Sequence, residues 1–145
     1  VHATMGRSLL RFPIKANGVL CPRETVTAYG PGIFPAGFEF DREDGIWRTS
    51  VRSNLYIRLD SDGVQQLIID AGDTDLVERA ESAYQNDTFC RSMIDEGLHS
   101  PLVNCARVCF GGNDTKTEYT GNPHLDRLAS FRSPVEGAHP PTWLF

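Results

Sequence analysis

The chain has no long apolar run. Nothing in it approaches the roughly 20 consecutive apolar residues that a helix needs to cross a bilayer, so membrane insertion is not expected. It also has no basic excess: 19 acidic residues stand against 14 basic ones, and the net charge of -5 opposes general attachment to nucleic acid or anionic lipid. GxSxG, HExxH, GxGxxG and phosphate-cradling loops are all missing. Gly111-Gly112-Asn113 has no lysine and helix behind it and reads as a turn. There is no CxxC pair and only His99 lies near a cysteine, which disfavours zinc. No metal or cofactor is expected, and the chain contains no internal repeat or low-complexity tract.

What is present begins with four cysteines, Cys21, Cys90, Cys105 and Cys109, an even number that permits three pairings. Val19-Leu20-Cys21 and Phe89-Cys90 are apolar surroundings of the kind that house structural sulfurs. Cys21 with Cys90 and Cys105 with Cys109 are the favoured disulfides: the first would tie an early strand to a later helix, and the second is local. Asn86-Asp87-Thr88 and Asn113-Asp114-Thr115 are acceptor sequons, which matter only in a secretory pathway. The start at Val1 without a signal peptide fits a mature or trimmed secreted protein.

A length of 145 residues suits one domain over 1–145, with 1–6 frayed and 111–145 loop-rich. Leu55 to Asp70 is the clearest element. Leu55, Ile57 and Leu59 alternate with Tyr56, Arg58 and Asp60, Asp62-Gly63 offers a turn, and Leu67 and Ile69 resume the apolar row, which predicts a β-hairpin. Phe38 and Phe40, then Asp44-Gly45, then Ile46 to Val51 predict a second hairpin. Asn17-Gly18 between SLLRFPI and VLC predicts another, with a weak helix over Arg23 to Tyr29. Leu76, Val77, Ala80 and Tyr84 recur at helical spacing, so Thr74 to Gln85 is expected to be a helix capped by Asp73 or Asp75. A second helix is expected over Thr88 to Glu96, stopped by Gly97. Leu102 to Phe110 reads as a last strand, and Asn122 caps a short helical candidate carrying Leu125, Leu128 and Phe131. The fold class is therefore α+β: an antiparallel sheet of about four strands with two helices packed on one face, stabilised by disulfides.

On a one-sided sheet the residues opposite the core face water. Arg48, Arg52, Tyr56 and Arg58 are thus the candidate binding residues, set on or beside the open face, where guanidinium groups would grip phosphates or a protein carboxylate surface. Glu39, Asp41 and Asp60 would balance them as cross-strand partners, and Trp47 is expected in the core. His2, His99, His124 and His139 fall in segments read as termini or loops, and none is paired by sequence with a nucleophile. Trp143-Leu144-Phe145 either docks onto the domain or meets a partner.

VLCP, FPAGFEF, the central LYIRLDSDGVQQLIID hairpin and a later FC, in that order, resemble the fungal guanyl-specific ribonucleases and their catalytically dead relatives, the ribonuclease-like haustorial effectors. Ala36 follows Phe34-Pro35 where the active enzymes carry a histidine, and Asp70 ends the returning arm where a second is required. The resemblance therefore implies loss of RNA cleavage. RFP, CPRET and CARVC are similar to the LARS group of secreted fungal avirulence proteins, small cystine-linked domains with a four-stranded sheet. Both resemblances imply a secreted, extracellular, non-enzymatic effector that acts in the host apoplast or after uptake, binds a host protein and modulates or triggers host immunity. A monomer is expected. The alternatives are a small ribonuclease-like hydrolase using His124 and Glu118, and a protease inhibitor presenting the loop from Gly111 to Glu118.

Overall fold

The computed structural model describes residues 1–96 and 102–140. Gly97 and His99 lie outside the described residues, as does the Trp143-Leu144-Phe145 end. Strands dominate. They are β1 (His2–Ala3), β2 (Ser8–Arg11), β3 (Glu24–Ala28), β4 (Pro35–Phe40), β5 (Ile46–Ser50), β6 (Leu55–Leu59), β7 (Gln65–Asp70), β8 (Arg107–Gly111), β9 (Thr117–Gly121) and β10 (Ala129–Arg132), with helices α1 (Thr74–Gln85) and α2 (Arg91–Ile94) between β7 and β8.

Three antiparallel meanders follow one another along the chain, β1-β2-β3, β4-β5-β6-β7 and β8-β9-β10. Their first strands lie together, with β4 packed beside both β1 and β8. Successive antiparallel sheets gathered at their first strands are the arrangement of blades in a β-propeller. The α+β expectation of one sheet under two helices is overturned. Helix α1 covers the expected span and is capped by Asp73, whose side chain accepts from the Leu76 amide. It packs at the sheet ends and not on a face: Glu81 receives Arg7 and the Gly32 amide, and the Tyr84 hydroxyl donates to Met5 O. The second helix shrinks to four residues.

Other local expectations shift for physical reasons. Asn17-Gly18 does turn the chain, with Lys15 N donating to Val19 O, but the ladder continues down to β3, so Glu24–Ala28 is a strand and not a helix. Asn122 caps without a helix: its side chain accepts from the His124 and Leu125 amides, and the chain then enters β10. The described part of the segment read as loop-rich, 111–140, holds β9 and β10 and returns to the middle sheet, with Ala138 N donating to Phe40 O and Arg42 N to Glu136 O.

The disulfide expectation is also corrected. Cys21, Cys90, Cys105 and Cys109 are all free thiols. Cys109 lies in β8 and Cys105 just ahead of it. Four residues of extended chain span roughly 13 Å, far beyond the roughly 7 Å limit between bridged Cα atoms. Cys21 lies on the β2–β3 hairpin and Cys90 at the start of α2.

The inner strands of the middle sheet are buried on both faces. Ile57 and Leu59 meet Leu9, Val26 and Tyr29 of the first sheet, whereas Tyr56 meets Cys105, Val108 and Phe131 of the third. Its β4–β5 turn closes on the Asp41 carboxylate. Oδ1 accepts from Glu43 N (2.9 Å) and Gly45 N (2.8 Å), and Oδ2 accepts from Trp47 Nε1 (2.8 Å) and Arg58 Nε (2.6 Å). Burial works to raise the Asp41 pKa, but the hydrogen bonds, led by that of Arg58, hold it below the usual carboxylate range. Gly45 is required here, because a Cβ would collide with Asp41 and Arg58. Asp41→Ala removes the buried carboxylate from the Arg58 guanidinium, leaving it only exposed Glu43 and Gln66 at the rim, and is expected to cost roughly 3 kcal/mol in urea denaturation. A loss below about 1 kcal/mol, the range of exposed ion pairs, would show that the turn does not depend on this carboxylate.

Candidate functional site

The three first strands enclose a crevice. At Gly37 the backbone of β8 comes so close to β4 that an added Cβ would lie 2.7 Å from Ala106 O and 2.8 Å from Arg107 Cα. Phe38 and Arg107 both line the crevice beside this approach. They divide the crevice into two lobes, one of about 440 Å³ reaching His2, Thr4 and Ala36, the other of about 420 Å³ reaching Glu39, Cys109 and Tyr119. Each lobe falls in the range of small-molecule sites. A smaller, mainly apolar cavity of about 170 Å³ lies elsewhere, between Phe34, Val51, Phe89 and Ile94. The crevice is the better candidate because charged, aromatic and polar side chains converge on it.

The wall on the His2 side is pre-organised. Ala36 O can only accept, so His2 Nδ1 carries the proton it donates (2.6 Å), and Nε2 accepts from the Tyr29 hydroxyl (3.2 Å). Burial is the main cause of the lowered His2 pKa, which keeps the ring neutral at pH 7. Burial also pushes Tyr29 up to about 12, so its phenol stays protonated. Behind Tyr29 the Arg48 guanidinium stacks 3.6 Å from the ring centroid, while its Nε and Nη1 are buried without an acceptor. Burial lowers the Arg48 pKa. With both ring nitrogens engaged, His2 shapes the wall and is not a free base.

The residues predicted for an open sheet face are not on one. Arg48, Arg52, Tyr56 and Arg58 are 1%, 6%, 1% and 8% exposed. Arg58 and Tyr56 share the β6 face that the third sheet covers. Arg52 follows β5, and its Nη1 donates to Glu96 O (3.0 Å). The Tyr56 hydroxyl lies by Cys105 and Thr120 outside hydrogen-bond geometry, and its pKa is raised chiefly by burial. Only Arg48 adjoins the crevice, from behind His2 and Tyr29. The hydrolase pair is not assembled: His124 Nε2 lies 3.7 Å from Asp95 Oδ1, while Glu118 is buried on β9 opposite Phe110 and Phe131. The Gly111 to Glu118 loop is a tight β8–β9 turn with Thr115 buried inside it. Asn86 and Asn113 are exposed, at the end of α1 and in that turn.

Sequence reasoning missed His2, Phe38 and Arg107 as a group. Residues 1–6 carry no periodicity and read as frayed, whereas His2 sits in β1, which is only two residues long and exists through its pairing with Leu9 and Ser8. The alternation in Cys-Ala-Arg-Val-Cys did carry a signal, since it sets Arg107 and Cys109 on the face opposite buried Val108.

No protein-family model matches the chain, and no curated protein matches it. Among solved structures, luciferin-regenerating enzyme superposes with a TM-score of 0.58 at 11% sequence identity, over 92% of this chain and 40% of that one. The chain therefore has the fold of the corresponding part of that enzyme and spans less than half its length.

Glu118 yields a pH test. Both carboxylate oxygens are buried without a donor, and burial, with lesser contributions from Asp41 and Glu39, pushes its pKa from 4.5 up to about 8. Between those values the folded chain keeps a proton that the unfolded chain has lost, so stability falls as pH rises, by up to about 1.4 kcal/mol per unit. Below 4.5 both states are protonated and no penalty applies. Glu118→Gln is expected to flatten the urea midpoints measured from pH 5 to 8 and to exceed the parent in stability most at pH 8. An unchanged slope in the variant would assign the titration to another group.

Proposed function

We propose that this chain supplies part of the ligand-binding wall of a bladed enzyme that acts on a small organic molecule, with the β1–β4–β8 crevice as its site. The observation carrying this reading is the convergence of His2, Phe38 and Arg107 on one cleft at the meeting of three first strands. The fold it shares with luciferin-regenerating enzyme supports the reading, since that protein is named as an enzyme. This chain corresponds to 40% of that one, so groups completing a reaction would come from further blades around the same centre.

A second reading keeps the non-enzymatic, secreted effector that recognises a host protein. It is favoured by the engaged nitrogens of His2 and by exposed Ile14, Val19 and Leu20 along the outer part of the β2–β3 hairpin.

A metabolite library screened by thermal shift separates the two. Under the first reading, hits lose their stabilisation in Ala36→Trp, whose indole fills the His2 lobe, while the unliganded variant melts within a few degrees of the parent. Hits that stabilise parent and variant alike would remove the crevice as the site, and an absence of hits would favour the protein-binding reading.

A further inference from the structure

We infer that the His2 lobe of the crevice takes a small organic carboxylate, held by Arg107, with its apolar part against Phe38. The inference rests on the reading of the crevice as a ligand site and adds the chemical class of what binds there.

Charge bookkeeping on the surface carries the argument. Of the eight exposed arginines, Arg11, Arg42, Arg79, Arg91 and Arg132 each sit on a carboxylate, with Glu24, Glu136, Glu96, Asp95 and Asp114 as partners, while Arg23 and Arg127, like Arg107, have no such pair among the described residues but do not line the crevice. Arg107 is exposed, and among the described residues no carboxylate pairs with it. It lines both lobes, and of the two the His2 lobe has no acidic lining residue, on a chain whose net charge is -5. Behind that lobe stands a second cation without a carboxylate, the 1% exposed Arg48, close enough to help hold His2 neutral. Charge from a buried guanidinium is poorly screened, so the lobe is positive where most of the surface is not. Glu39 lines only the neighbouring lobe, where it repels an anion toward the His2 side.

The geometry selects carboxylate over phosphate. One exposed guanidinium offers a planar fork that matches a carboxylate in a bidentate pair. No glycine-rich cradle or helix N-terminus adds the donors that a phosphate dianion requires. Phe38 is 36% exposed, its ring 5.1 Å from that of His2, and presents an apolar surface next to the cation. A ligand with a charged end and an aryl or alkyl body satisfies both groups.

The test is calorimetric and NMR titration of the chain with phenylacetate, its neutral analogue phenylacetamide, and phenyl phosphate. Phenylacetate is expected to bind more tightly than either, to weaken roughly tenfold or more in Arg107→Ala, to weaken with added salt, and to bind unchanged in Arg23→Ala, which removes an exposed arginine away from the crevice. Equal binding of phenylacetamide, or of phenylacetate to Arg107→Ala, would overturn the anion inference while leaving the crevice as a ligand site. Preference for phenyl phosphate would overturn the carboxylate assignment. If the library hits bind in the crevice and none of the three probes does, the inference fails alone. If nothing binds there, the ligand-site reading fails with it.

Discussion

The Asp41 carboxylate is the constraint on which the middle sheet depends. It closes the β4–β5 turn through two backbone amides and at the same time receives the Trp47 indole and the Arg58 guanidinium. One group thus joins turn geometry to the packing of β5 and β6. Arg58 then extends the network to Glu43 and Gln66, so the outer strand β7 is tied to the same centre. Strand β4 carries Phe38 and Gly37, and its register against β5 sets where they stand. The candidate site inherits its precision from a carboxylate that is not part of it.

Sheets stacked through their faces make unusual demands on polar residues. The inner strands β5 and β6 have no wet face, so each polar side chain on them must find a partner inside or bear the cost of burial. Asp41 and Arg58 solve this as a hydrogen-bonded ion pair, and Thr49 and Ser50 bond to nearby backbone. On β9 of the third sheet Glu118 is not paired: among the described residues nothing donates to it, and its raised pKa is the form that cost takes. Arg48 is satisfied only through the face of Tyr29. Such groups are tolerated when the surrounding structure fixes them strongly, as the double-sided burial here does.

At the crevice the same stacking has the opposite effect. First strands that meet edge to edge leave gaps between them, and the gap is lined by whichever residues the close approach at Gly37 turns inward. Short β1, with only two residues, is held by β2 and by the bond from His2 to Ala36, so the lobe's wall is built by a segment with little structure of its own. A pocket of this kind mixes a few polar groups with apolar surface, the pattern expected of small-ligand sites.

By itself the sequence determined the local elements. The Leu55 to Asp70 hairpin, the Asp44-Gly45 turn, the Asn17-Gly18 turn, the core position of Trp47 and the span of α1 all follow from side-chain periodicity and the backbone freedom of a few residues, which are properties of neighbours along the chain. Tertiary structure alone decided what covers each sheet. Alternation in Leu-Tyr-Ile-Arg-Leu marks two faces but does not say whether the second meets water or another sheet, so Tyr56 and Arg58 read as exposed and are buried. The same limit hid the crevice, because His2, Phe38 and Arg107 belong to three strands far apart in the chain and meet only where the sheets converge. It also decided the cysteines, since pairing depends on distances across the fold that spacing along the chain does not encode.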